Sequence, residues 1–177
     1  EKESYPAAAA VLSTGGVSYP LTGSTGDGFR MAQALGHTVT PLRGSLVPLR
    51  ADGCAALQGL SLRNVGLTVL ENGKRIHSDF GELIFTHFGV SGPLVLSASA
   101  HMRHFGKKQY RLAIDLKPAL DEKALDRRLL SDFEKHPNGD YRNVLGALLP
   151  QKLIDPFVDR SGIPPHEKVH DLTREQR

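Results

Sequence analysis

Alternating apolar and polar positions govern the middle of the chain, and a helical period governs its last third. Tyr110, Leu112, Ile114 and Leu116 alternate cleanly, which predicts a strand with one buried face. Leu60 and Leu62 share one parity, whereas Val65, Leu67 and Val69 continue on the other. A bulge or break is therefore expected at Arg63-Asn64. Asn72-Gly73 predicts a hairpin turn joining a strand over 65–70 to one over 74–77. Leu83 to Thr86 reads as another short strand, and Ser45 to Arg50 as one that Pro48 confines to an edge or bulge. One helix interrupts this set: Ser91-Gly92-Pro93 offers a cap and a first-turn proline, and 94–104 has the residues for about three turns. Five or six short strands with a single helix among them favour a small antiparallel barrel or curled sheet.

From Leu116 onward Pro or Gly marks each boundary of a helical period. Asp121 is placed to cap a helix with Leu125, Leu129 and Phe133 on one face, which Pro137-Asn138-Gly139 stops. A second helical stretch covers 141–149. A third begins at Pro150 and carries Leu153, Ile154, Phe157 and Val158, and Pro156 is expected to break its hydrogen-bond ladder or divide it. Thr173 and Gln176 have the spacing of a helix capping box. The fold class is α+β, and the expected organisation is a leading segment over 1–43, a barrel-like part over 44–116 and a helical part over 117–177.

The leading segment differs in kind. Ala8 to Leu12 is an apolar run of the sort that becomes a buried parallel strand. Gly15 and Gly16 end it, and Gly23, Gly26 and Gly28 follow among Thr22, Ser24 and Thr25. A helix over 29–35 is expected, closed by Gly36. Small residues let the main chain approach a flat or anionic ligand, with free amides at the helix start pointing toward it. The dinucleotide fingerprint G-x-G-x-x-G is absent, and Asp27 repels phosphate unless it caps the helix. From the residues alone a plain structural turn and a cofactor loop both stand.

The remaining chemistry is sparse. Gly81 to Pro93, GELIFTHFGVSGP, delivers Thr86, His87 and Ser91 from a strand end to a helix start. His87 can exchange a proton with a substrate, and amides near Ser91 can hold an anion or carbonyl oxygen. The alternative is that Thr86 and His87 satisfy local backbone groups. His101-x-x-His104 and His166-x-x-x-His170 each suit two imidazoles on one helical face, but no cysteine or carboxylate set completes a metal site, so no metal is expected. Ser91 lies in V-S-G-P rather than a nucleophile elbow. The lone Cys54 permits no intrachain disulfide and suits a reducing, cytoplasmic setting.

The net charge is +3, with acidic residues interspersed among basic ones. The densest basic stretch, His101 to Arg111, contains Phe105 and Tyr110. Nucleic acid is not an expected partner, because that footprint usually needs a larger stripe of one sign. No apolar run approaches a membrane span.

Three separated segments carry a family resemblance: STGGVSYPLTGSTGDGFRMAQALGH, LQGLSLRNV and GELIFTHFGVSGP. The chain resembles the BaiN and YhiN family of NAD(P)/FAD-dependent oxidoreductases, most strongly between Leu12 and Pro93. The resemblance implies a Rossmann-type FAD domain interrupted by an inserted domain, with this chain supplying the end of one FAD-domain segment as a strand-loop-helix remnant and then the insert. It implies that Thr14, Gly15, Gly16, Tyr19, Thr22, Gly23, Ser24, Gly26, Asp27 and Gly28 belong to the FAD-side motif, with positional roles. It also implies that Thr86, His87 and Ser91 face a substrate, such as an activated alkene, reduced with hydride from NAD(P)H through FAD. The partner of the segment is then the rest of its own FAD domain. The piece alone is expected to be inactive and to bind FAD poorly. The alternative is a noncatalytic barrel module binding protein or nucleic acid.

Overall fold

The computed structural model describes residues 3–177 and divides into two compact units, one ending at Arg43 and the other spanning Gly44–Arg177. The second unit is built on five antiparallel strands: β1 (Leu49–Arg50), β2 (Ser61–Glu71), β3 (Lys74–Thr86), β4 (Gly89–Ser91) and β5 (Tyr110–Asp115). Their order is β1-β4-β3-β2-β5, so β1 and β5 are the edges of a curled half-barrel.

Two local features set its register. Asn72 and Gly73 have φ of 50° and 82°, the left-handed pair that a tight hairpin between right-twisted strands requires. Further along β2, pairing passes from Leu62↔Leu83 to Val65↔Gly81, so two residues oppose one, and Asn64 turns to φ 56°. This is the bulge that the change of parity predicts. It returns both Leu62 (4% exposed) and Val65 (2%) to the core face, which a regular strand cannot do.

The strands over 74–77 and 83–86 are one strand of thirteen residues, β3, because β2 continues through its bulge and offers partners along the whole length. The strand expected over 45–50 is reduced to Leu49–Arg50 at the edge, since Leu46 turns to φ 55° and Pro48 has no N–H to give. Helix α2 (Pro93–Ser99) is also shorter than its pattern. The chain tightens into short-range bonds from the His101 and Met102 amides to Ala98 and Ser99. Met102 thereby stays in the core, and 101–109 becomes a loop. Ser99 Oγ fastens this corner, donating to the Leu96 carbonyl (2.7 Å) and accepting the Val47 N–H (2.9 Å).

The helices that follow are α3 (Glu122–Lys135), α4 (Tyr141–Val144) and α5 (Gln151–Ser161). Asp121 Oδ1 accepts the Ala124 N–H at 2.7 Å, the expected cap. A short 3₁₀ turn over Leu145–Ala147 ends the α4 stretch. Pro156 does not divide α5: only one ladder bond is forfeited, while Ile154 and Val158 on either side are buried and hold the helix. Thr173 and Gln176 exchange the two bonds of a capping box, at 2.9 and 3.3 Å. Two cores result, one under the half-barrel and one among the helices, and Leu116 and Leu153 pack against both.

Asp132 on α3 is buried yet charged, held by Arg128 Nε (2.7 Å) and Lys135 Nζ (3.0 Å). The Arg128 guanidinium first, then the Lys135 ammonium, keep its carboxyl below the ordinary range. The folded pKa is thus lower than the unfolded one, so this contribution is complete above about pH 5 and is lost as pH falls through about 4 and below. Urea midpoints between pH 6 and 3 are expected to fall over that window, and Asp132→Asn to remove part of the slope.

Candidate functional site

The first unit holds the glycine loop. A 3₁₀ turn (Pro20–Thr22) and helix α1 (Asp27–Ala34) are its regular elements. Ala8 to Leu12 is not a strand: it is exposed, with Val11 at 89%. A parallel strand needs a neighbour to take its backbone bonds, and the described residues of the first unit supply none, so the observed remnant is a loop and a helix. Among the described residues, no apolar side chain of this unit is buried.

The loop folds back on the helix start. Gly26 N–H donates to the Gly16 carbonyl at 3.1 Å. A Cβ on Gly28 meets Thr14 Oγ1 at 2.3 Å, and one on Gly15 meets Ser24 Oγ at 2.8 Å. Segment 14–16 thus lies close on 24–28, and Gly15 has in addition a φ of 73° that favours glycine. Tyr19 stands exposed with φ 54°, and Thr22 Oγ1 donates to its carbonyl at 2.7 Å. Gly16 and Gly23 face open space where a Cβ would stand. Gly26 occupies the cap position of α1 without a side-chain cap bond. Asp27 does not cap; it pairs with Arg30 and accepts the Thr25 hydroxyl at 2.9 Å.

In the second unit, β3 and β4 form a hairpin whose two turn residues are His87 and Phe88. The register pairs Thr86 with Gly89 and Ile84 with Ser91. Thr86 and Ser91 therefore share one sheet face, opposite Phe85 and Val90, while His87 lies at the exposed tip, edge-on to Phe88 at 5.0 Å. Thr86 Oγ1 is buried and has no hydrogen-bond partner among the described residues, which argues against a purely local role. Arg50 pairs with Gly89 and so falls in the same cross-strand row as Thr86. Sequence reading passes over Arg50, since nothing local to Val47–Asp52 marks it.

Between the two sheet edges, a cleft of about 880 Å³ opens from β1 to β5, where the half-barrel fails to close. Arg50, Asp52, Met102, Phe105, Tyr110 and Arg111 line it. Glu71 anchors this end: it accepts from Lys108 Nζ and the Tyr110 hydroxyl, which hold its carboxyl below the ordinary range. Burial, and then the bond to Glu71, push the Tyr110 hydroxyl up.

The histidine pairs do not sit as the spacing suggests. Helix α2 ends before His101, and His101 stacks instead on His77 of β3, with centroids 4.0 Å apart and planes at 12°. His166 Nδ1 contacts Asp140 (3.1 Å), while His170 Nδ1 lies 2.6 Å from the Pro137 carbonyl, on a 3₁₀ turn rather than on a shared helix.

A curled antiparallel half-barrel followed by a helical subdomain defines the class, and residues 43–177 match the HI0933-like protein barrel and H2TH domain. The chain belongs to this HI0933-like family, the BaiN/YhiN group that its motifs resemble. Among curated relatives, the ribosomal RNA dihydrouridine synthases of Haemophilus influenzae and Escherichia coli are 32% and 31% identical over 168 and 159 residues, covering 93% and 87% of this chain and 39% and 37% of theirs. The 3-dehydro-bile acid delta(4,6)-reductase of Clostridium scindens is 25% identical over 162 residues, 90% of this chain and 40% of that protein. The chain spans about two fifths of the length of these relatives.

Proposed function

We propose that this chain is the inserted domain, with a flanking FAD-domain segment, of a flavin-dependent reductase that saturates a carbon–carbon double bond conjugated to a carbonyl. The observation that carries the reading is the common chemistry in its relatives' names. Dihydrouridine is uridine with its carbonyl-conjugated ring double bond saturated, and a delta(4,6)-reductase of a 3-dehydro bile acid acts on double bonds conjugated to a ketone. The substrates differ and the bond change is the same.

The glycine loop fits the neutral part of a flavin better than its pyrophosphate. Gly16 and Gly23 leave the main chain open to a flat ligand, and Thr14, Thr22 and Ser24 add hydroxyls to the same loop. Arg30, the cation on the first turns of α1, is tied to Asp27. FAD, when bound, supplies the hydride acceptor and donor between NAD(P)H and the alkene. Thr14, Gly15, Gly16, Tyr19, Thr22, Gly23, Ser24, Gly26, Asp27 and Gly28 are proposed to position it through backbone approach.

On the insert, Thr86 Oγ1 is proposed to donate to the substrate carbonyl, a partner that its buried hydroxyl otherwise lacks. His87, exposed on the hairpin tip, is proposed to deliver the proton to the carbon next to that carbonyl, with Ser91 orienting the substrate from the same sheet face as Thr86. In the intact parent protein, His87→Ala is expected to lower turnover at least about 100-fold with flavin still bound, the usual worth of a general acid. Unchanged turnover removes His87 from the mechanism.

A further inference from the structure

We propose that the β5 edge of the half-barrel is a self-complementary interface, through which two copies of this chain pair antiparallel about a twofold axis into one continuous sheet.

The two edges of the sheet are built differently. β1 is two residues long and follows Pro48, so it offers little to an incoming strand. β5 runs for six residues in unbroken register with β2, and it holds no lysine, proline or glycine and no bulge, the devices that ordinarily blunt an edge. Among the described residues no strand pairs with its other side. The Asn72 N–H donates to the Gln109 carbonyl at 2.9 Å. Backbone groups of Arg111, Ala113 and Asp115 therefore point to β2 as well, and those of Tyr110, Leu112 and Ile114 point outward. The cleft beside β5 leaves a further strand room at Tyr110, Arg111 and Leu112.

The side chains then select the register. In an antiparallel self-pairing, outward residues must oppose outward residues, which leaves Leu112 three partners within the strand. Opposite Tyr110, it sets Arg111 against Arg111 of the other copy. Opposite itself, it sets Arg111 against Ala113 and satisfies no charge. Opposite Ile114, it sets Arg111 against Asp115 on both sides of the axis and leaves Ala113 facing its own copy. Arg111, Ala113 and Asp115 form the exposed face of β5, and in this register they occupy the pairs whose side chains approach most closely. The smallest of them lies on the axis, where two identical groups must meet. Opposite charges directly across two strands favour the pairing, and like charges oppose it. A strand of another protein would have to supply acid and base in the matching order, whereas β5 carries both itself. The second copy is therefore the occupant that the edge fits.

The test is sedimentation velocity of the 177-residue chain. An interface of one strand pair belongs to the small, weak class, so dimer is expected to dominate at about 100 µM and monomer at about 1 µM. Arg111→Asp and Asp115→Arg each put two like-charge pairs across the axis and should weaken association at least about tenfold. Mixed in equal amounts, these two variants should pair with one another, because the acids of one meet the bases of the other. The double variant should recover self-association. Ala113→Lys, which sets two ammonium groups beside the axis, should abolish it and gives a second probe at an exposed position. Unchanged thermal midpoints verify that the variants fold. A chain that stays monomeric at about 100 µM overturns the proposal, the edge being left to another segment of the parent protein. So do Arg111→Asp and Ala113→Lys variants that associate as before, which would move the contact to another surface, such as the exposed Val11 and Leu21 of the first unit. Failure of the mixed variants to pair overturns the register.

Discussion

Replacing Gly89 with alanine is expected to cost the second unit about 3 kcal/mol or more, the range of substitutions that break packing at a fixed backbone. A Cβ at this position stands 2.0 Å from the Leu49 carbonyl oxygen and 2.7 Å from the Ala51 nitrogen. Both are backbone atoms, of β1 and of the residue that follows it, so no side chain can swing away. Strand β1 is held by only two residue pairs, Leu49↔Val90 and Arg50↔Gly89, together with the Ala51 N–H bond to the Phe88 carbonyl. Alanine must therefore release the whole edge, uncovering Leu49 and freeing Arg50 from the row it shares with Thr86. Urea denaturation of the 177-residue chain measures the loss. Gly146→Ala is the control, since its Cβ meets only a side-chain methyl at 3.9 Å, and it should change stability by less than about 0.5 kcal/mol. Equal stability of the two variants would show that the β1–β4 contact is not what holds this edge.

The second large effect is on cofactor binding. In the intact parent, Gly28→Ala is expected to weaken FAD binding at least about tenfold, or about 1.4 kcal/mol. Its Cβ would stand 2.3 Å from Thr14 Oγ1, whereas Thr14 Cβ lies 3.6 Å away. Accommodating the methyl requires the Thr14 hydroxyl to turn away from the helix start, which displaces a group proposed to meet the flavin. Removing the hydroxyl relieves the conflict, so Thr14→Ala combined with Gly28→Ala should recover part of the affinity. Flavin occupancy after dialysis, read from absorbance, distinguishes the cases. Full occupancy in Gly28→Ala alone would mean that the loop does not approach the cofactor.

Much of the half-barrel was legible because its determinants are local. The change of parity between Leu62 and Val65 announced the bulge, and Asn72-Gly73 announced the turn, since each depends on residues within a few positions. The misreadings share one cause, which is that partners distant in sequence decide the outcome. Ala8 to Leu12 has the apolarity of a strand but no neighbour to bond with among the described residues of its unit. The two short strands expected on the far side of the hairpin are one because β2 is continuous, and α2 ends early because Met102 is held in the core while His101 turns to His77. At Pro156 the lesser of the two expected outcomes holds: one ladder bond is missing, and burial of Ile154 and Val158 keeps the helix undivided.

The candidate site was legible as residue types and not as an arrangement. Thr86, His87 and Ser91 stand out in GELIFTHFGVSGP, yet only the register shows that Thr86 and Ser91 share a face while His87 occupies the tip. Arg50 joins them through a strand pairing that spans about forty residues, which no local pattern can display. The absence of carboxylates between Glu82 and Asp115 was in plain view. The fold sets part of that stretch along the open seam, with Phe105 lining it and Glu71 of β2 paired to Lys108.

The most direct test of the central claim is the visible spectrum of the purified intact parent protein before and after anaerobic addition of NADH or NADPH. The account predicts a yellow protein with bound FAD near one per chain, bleached by one of the two nucleotides and recoloured by an alkene conjugated to a carbonyl. A colourless protein that takes up no added FAD would contradict it.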